Sequence, residues 1–175
     1  MGDSAVWVAA FTGATAVLAS WVTNLGNVRA ARAQAEASAR AQLRGRVREV
    51  RRAAYLDFME QAHVTGELYW QVGFDLEVLT DAERLAVRLH DLRAELRSAY
   101  DPLMRSARVV VLEGPGDAAE AAEAVLRAVA DTNRTLWRIS LGEPEARARF
   151  AAGQQDFTER LEHFVGVARE AMQSP

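Results

Sequence analysis

From Ser4 to Val28 the chain carries no charged side chain, although charged residues make up 26% of its 175 residues. An uninterrupted run of this kind restricts what its segment can become. Its most apolar part, Ala5 to Thr23, would rise about 28 Å as a helix, close to the hydrocarbon thickness of a bilayer. Trp7 and Trp21 lie near the two ends, where interfacial aromatics belong. Arginines begin at Arg29, just past the run. Together these features predict one transmembrane helix over residues 5–25. The rival readings are a cleaved signal peptide and an apolar helix buried in a bundle. The first lacks a basic n-region, since Asp3 stands there, and the second is disfavoured by length.

Charge is segregated along the rest of the chain. Residues 29–52 hold eight arginines against Glu36 and Glu49, for +6. Residues 53–175 sum to −8, and the whole chain to −3. Positive charge flanking a span stays on the cytoplasmic side. The expected topology is therefore single-pass in the plasma membrane, with residues 1–4 outside and the body inside. Arg29, Arg32, Arg40, Arg44, Arg46 and Arg48 form a basic juxtamembrane collar, suited to anionic lipid head groups or simply to solvent. Nucleic acid is not an expected partner, because the body is acidic and no aromatics interleave the arginines. Ala9, Gly13, Ala16 and Ser20 recur at steps of 4, 3 and 4. They offer a small-residue face for transmembrane packing and a possible homodimer.

Residues 26–42 are alanine, arginine, glutamine and glutamate with almost no large apolar side chain. That composition favours helix but gives it nothing to bury, so the segment reads as an exposed stalk. From Leu43 the pattern changes. Leu43, Val47, Val50, Ala54, Phe58, Ala62, Thr65, Leu68 and Val72 fall on one helical stripe, with a connection expected from Gly73 to Thr80. A second helix is expected from Thr80, capped with Glu83, along Leu85, Leu89, Leu92, Leu96, Ala99, Leu103 and Ala107. Pro102 inside it predicts a kink or break. A third helix, capped by Asp117 with Glu120, carries Val125, Val129, Thr132, Leu136 and Ile139, and ends at Gly142. Pro144 is expected to open a fourth, with Phe150, Gln154, Phe157, Leu161, Phe164 and Ala168 inward. No strand alternation is present. The predicted fold is all-α: a transmembrane helix continuing through the stalk into an antiparallel four-helix bundle over residues 43–175. Coiled-coil-like packing comes with that geometry.

The stretch Arg51-Arg52-Ala53-Ala54-Tyr55-Leu56-Asp57-Phe58, behind an apolar head and an Ala/Arg stalk, resembles a group of small uncharacterised membrane-anchored helical proteins of actinobacteria. The resemblance covers roughly residues 5–60. It implies a membrane-anchored helical protein and carries over no functional residue.

Chemistry is constrained mostly by what is missing from the sequence. There is no cysteine, hence no disulfide, thiolate metal site or thiol nucleophile. All 21 basic residues are arginine, which removes P-loop and Schiff-base lysine chemistry. No serine lies in a Gly-x-Ser-x-Gly elbow. Glu60 and His63 match the Glu-x-x-His of di-iron bundles, but the second copy fails at Arg160, so no metal site is expected. His90 and His163 lie on other helices. Asp117 at the third helix start would repel phosphate. No catalytic residue and no cofactor are assigned. Tyr69, Trp70, Phe74 and Trp137 are read as core aromatics, with an exposed partner-binding patch or a pocket as the alternatives. The expected function is a non-enzymatic scaffold or protein-interaction module at the cytoplasmic face of the membrane, with an unidentified protein partner. The alternative is a membrane-coupled sensor or regulator whose helical body binds a ligand or partner.

Overall fold

The computed structural model describes the backbone of residues 3–173 and the side chains of residues 31, 32 and 34–173. It contains four helices: α1 (Asp3–Val78), α2 (Ala82–Glu113), α3 (Gly116–Ser140) and α4 (Ala146–Gln173). No strand occurs among the described residues. The chain divides into two compact units, Met1–Arg46 and Val47–Pro175. In the first, every residue whose side chain is described is exposed. Its one described ion pair, Arg40 to Glu36 at 3.4 Å, is an i,i+4 pair on the helix surface.

The second unit is an up-down-up-down bundle, and side-chain contacts fix its order. Arg88 meets Asp75 at 2.9 Å, while the Nε of Arg51 donates to the Glu113 carbonyl at 2.7 Å, so α1 and α2 run antiparallel. Tyr55 meets the Phe164 ring and Tyr69 meets the Phe157 and Phe150 rings, so α4 also runs against α1. Helix α3 packs on both α2 and α4, which lie diagonally opposite each other. The core forms from the residues at steps of three and four: Ala54, Phe58, Ala62, Leu68 and Val72 from α1, Leu85 to Val110 from α2, Val125 to Leu136 from α3, and Phe150, Phe157, Phe164 and Ala168 from α4. Short connections join consecutive helices, which suits antiparallel neighbours.

Several local expectations are corrected. Leu43, Val47 and Val50 continue the α1 stripe in sequence but are exposed, and the core begins at Ala54. Within the second unit the reason lies in α2: Arg51 already reaches its last residue, Glu113, so Val47 and Val50 lie beyond the end of that helix. Helix α1 does not stop at Gly73 but runs to Val78. The cap of α2 is Asp81, not Thr80; its carboxylate accepts from the N–H groups of Glu83 and Arg84. An aspartate in extended backbone satisfies two orphan donors there. Helix α3 begins at Gly116 behind Pro115, with no side-chain cap, so Asp117 lies inside its first turn.

Pro102 does not break α2. The carbonyl it leaves unserved belongs to Ser98, which is exposed, so water can take the place of the lost donor. Gly142 does end α3. It takes φ of 73°, its N–H bonds to Ile139, and the Glu143 N–H bonds to Arg138, a Schellman closure that favours glycine. Pro144 sits in the turn rather than in the helix, and α4 starts at Ala146, after Glu145 at φ of 64°.

Candidate functional site

The residues assigned to the membrane end are placed unevenly. Trp7, Trp21, Ala9, Gly13, Ala16, Ser20 and the Arg29 side chain lie outside the described residues, as does the apolar run 5–25. Among the described residues no helix is long and apolar enough to cross a membrane. Arg32, Arg40, Arg44, Arg46 and Arg48 are all exposed on α1.

The histidines do not converge. His63 faces its own neighbour Glu67 at 3.2 Å on the surface of α1, and His90 and His163 are exposed on α2 and α4. No three His, Asp or Glu side chains are grouped to hold a metal among the described residues. One buried polar group ties two helices together. Tyr69 is fully buried; its hydroxyl crosses the core from α1 to α3, 3.1 Å from the Val129 carbonyl and 3.0 Å from Asn133 Oδ1. Burial raises its pKa well above the ordinary tyrosine range, so it remains a neutral cross-link and not a proton donor to chemistry.

Of the large aromatics read as core, only Tyr69 is. Trp70 is 73% exposed, Phe74 63% and Trp137 48%. The helical period explains the split: Tyr69 and Val72 point inward, and the residues one position further round the helix point out. Trp70 and Phe74 stand one turn apart at an α1–α4 groove of about 470 Å³, whose other lining includes Gly73, Glu77, Gln154 and Thr158. Its two large apolar side chains, Trp70 and Phe74, come from α1, and Gln154, Gln155 and Thr158 from α4. Trp137 takes part in a different arrangement, lying under the Arg93 guanidinium at 4.5 Å. Next to it is an α2–α3 groove lined by Arg93, Leu96, Arg97, Tyr100, Asn133 and Leu136. Sequence reasoning passed over this second groove. Its signal was present as Arg93, Arg97 and Tyr100 at steps of 4 and 3 on one face of α2. What the sequence did not show was which face of α3 lies opposite.

Neither groove brings a nucleophile, a base and an oxyanion donor within reach of one another among the described residues. Comparison with protein-family models, curated proteins and solved structures finds no match to this chain.

Proposed function

We propose that the protein is a membrane-anchored, non-enzymatic scaffold or protein-interaction module. In this reading residues 5–25 span the plasma membrane, residues 1–4 lie outside, and residues 26–42 form the stalk. The arginines from Arg29 to Arg48 keep the body on the cytoplasmic side and meet anionic head groups. The resemblance to small actinobacterial membrane-anchored proteins points the same way. The observation that carries the docking role is the exposure of Trp70 and Phe74 side by side. Exposing a tryptophan and a phenylalanine together leaves apolar area in water, and tryptophan is the residue most enriched among interface hot spots.

Photo-crosslinking from position 70 in cells is expected to trap one discrete protein partner. The double variant Trp70→Ala, Phe74→Ala is expected to weaken that complex tenfold or more, since hot-spot truncations cost about 2 kcal/mol or more each. Its circular dichroism should be unchanged, because both side chains leave water only on binding. A crosslinking pattern with no discrete species, or a complex indifferent to the double variant, would contradict the docking role. The second reading, a sensor or regulator that binds a ligand through its helical body, is favoured by the α2–α3 groove.

A further inference from the structure

The α2–α3 groove, of about 230 Å³, is lined by two arginines. Seven other arginines of the body each meet a carboxylate within 4 Å, among them Arg88 with Asp75, Arg149 with Glu145 and Arg160 with Asp156. Arg93 and Arg97, like Arg52, Arg105, Arg108, Arg147 and Arg169, have no such ion pair among the described residues, and they stand one turn apart on the same groove. Yet the surrounding sequence is acidic, and carboxylates to neutralise them are plentiful. Two like charges at i and i+4 on one helix also repel each other. An anion between them would offset both costs.

Two of the groups around the groove, Arg93 and Asn133, are held in place. Arg93 lies on the Trp137 ring at 4.5 Å, and its Nη1 donates to Ser140 Oγ at 3.5 Å, while that hydroxyl donates to the Trp137 carbonyl at 2.6 Å. The Asn133 side-chain amide is tethered at the Tyr69 hydroxyl, 3.0 Å from its Oδ1, and lines the groove. No carboxylate lines this groove. Its floor is apolar: Leu96 and Leu136 are almost wholly buried. The site thus combines two fork-shaped cations, a side-chain amide and a phenol above an apolar base.

We propose that this groove binds a small organic oxyanion, a carboxylate or phosphate monoester carried on an apolar body about the size of one ring. The Arg93 and Arg97 guanidinium groups take the oxyanion, for which their planar fork is matched. Asn133 donates a further hydrogen bond. Leu96, Leu136 and the Tyr100 ring take the apolar part. This names a ligand class for the sensor reading and does not rest on the Trp70–Phe74 surface.

Titration calorimetry of the full-length protein in nonionic detergent tests it, with benzoate, phenyl phosphate and inorganic phosphate as separate probes. Saturable binding of benzoate or phenyl phosphate is expected, and the tighter of the two identifies the head group. Arg97→Gln is expected to weaken it tenfold or more, as loss of a charge-assisted hydrogen bond does. Arg97→Lys should keep part of the affinity, because the charge stays and only the fork is lost. Arg105→Gln, an exposed arginine on the same helix outside the groove, should leave binding unchanged, and so should the Trp70→Ala, Phe74→Ala variant. The proposal is overturned if no ring-bearing probe binds saturably. It is equally overturned if inorganic phosphate alone binds as tightly, or if Arg105→Gln weakens binding as much as Arg97→Gln.

Discussion

Replacing Phe164 by alanine is expected to destabilise the bundle by about 3–5 kcal/mol, the usual cost of deleting a buried aromatic ring. Phe164 is fully buried on α4. Its ring lies edge-on to Phe58, with centroids 4.6 Å apart, and to Tyr55 at 5.9 Å. Truncation therefore removes a contact of α4 with Tyr55 and Phe58 on one turn of α1, and it leaves a cavity beside their rings. Part of the loss is area burial and part is the edge-to-face contact, which adds about 0.5–1.5 kcal/mol per pair. Urea unfolding followed by circular dichroism checks it. Phe74→Ala is the matched control: the same chemical change on an exposed side chain should stay within about 0.5 kcal/mol. If the two variants cost the same, the assignment of inward and outward faces on these helices is wrong.

The second large effect concerns a glycine in the middle of a helix. Gly153→Val is expected to destabilise by about 2 kcal/mol, within the range for overpacking a tight contact. A Cβ at this position would stand 2.7 Å from Thr132 Oγ1 and 3.5 Å from Thr132 Cβ on α3. Thr132 is buried and β-branched, so it has little room to turn away. The new side chain also gains helix propensity over glycine, by a few tenths of a kcal/mol, which is too little to offset the clash. Gly166 on the same helix shows the opposite case. Nothing lies within 4 Å of a Cβ there, and Gly166→Ala should stabilise by about 1 kcal/mol. Thermal unfolding of the two variants should give shifts of opposite sign.

These two glycines also show what sequence reading reaches and what it does not. Both sit in the same helical pattern, and nothing in the sequence separates the one pressed against α3 from the one in open space. The stripes were legible. Leu85, Leu89, Leu92, Leu96 and Leu103, or Phe150, Phe157 and Phe164, repeat at steps that only a helix brings to one face, and all are buried. The four-helix count followed from them and from the Gly142 stop. Less legible was anything decided by a partner element. Leu43, Val47 and Val50 obey the same period as Ala54 and Phe58 but are exposed, and Val47 and Val50 lie beyond the end of α2. Asp81 displaced Thr80 as a cap because either residue can accept the first N–H groups, and the choice depends on backbone entry. Trp70 and Phe74 look like core residues by size, but the period places them outside. The Arg93–Arg97 groove was legible only on its α2 side, because its opposite wall, Asn133 and Leu136, comes from another helix.

The α1 stripe also bears on the anchor. Past residue 50 this helix gains its stability from the bundle, whereas residues 34–50 bury none of their side chains. A helix without an apolar contact has only its propensity to rely on. A membrane span upstream and a bundle downstream would hold both ends of such a segment, which is how the proposed stalk would remain ordered.

The central claim is that the protein is held at a membrane by its first 28 residues. Alkaline carbonate extraction of cell membranes tests it directly, on the full-length protein beside a 29–175 truncation. The account predicts that the full-length protein resists extraction and stays in the membrane pellet, while the truncation is recovered in the soluble fraction. Full-length protein released into the soluble fraction would contradict it, and the proposed topology and the scaffold role at the membrane would fall together.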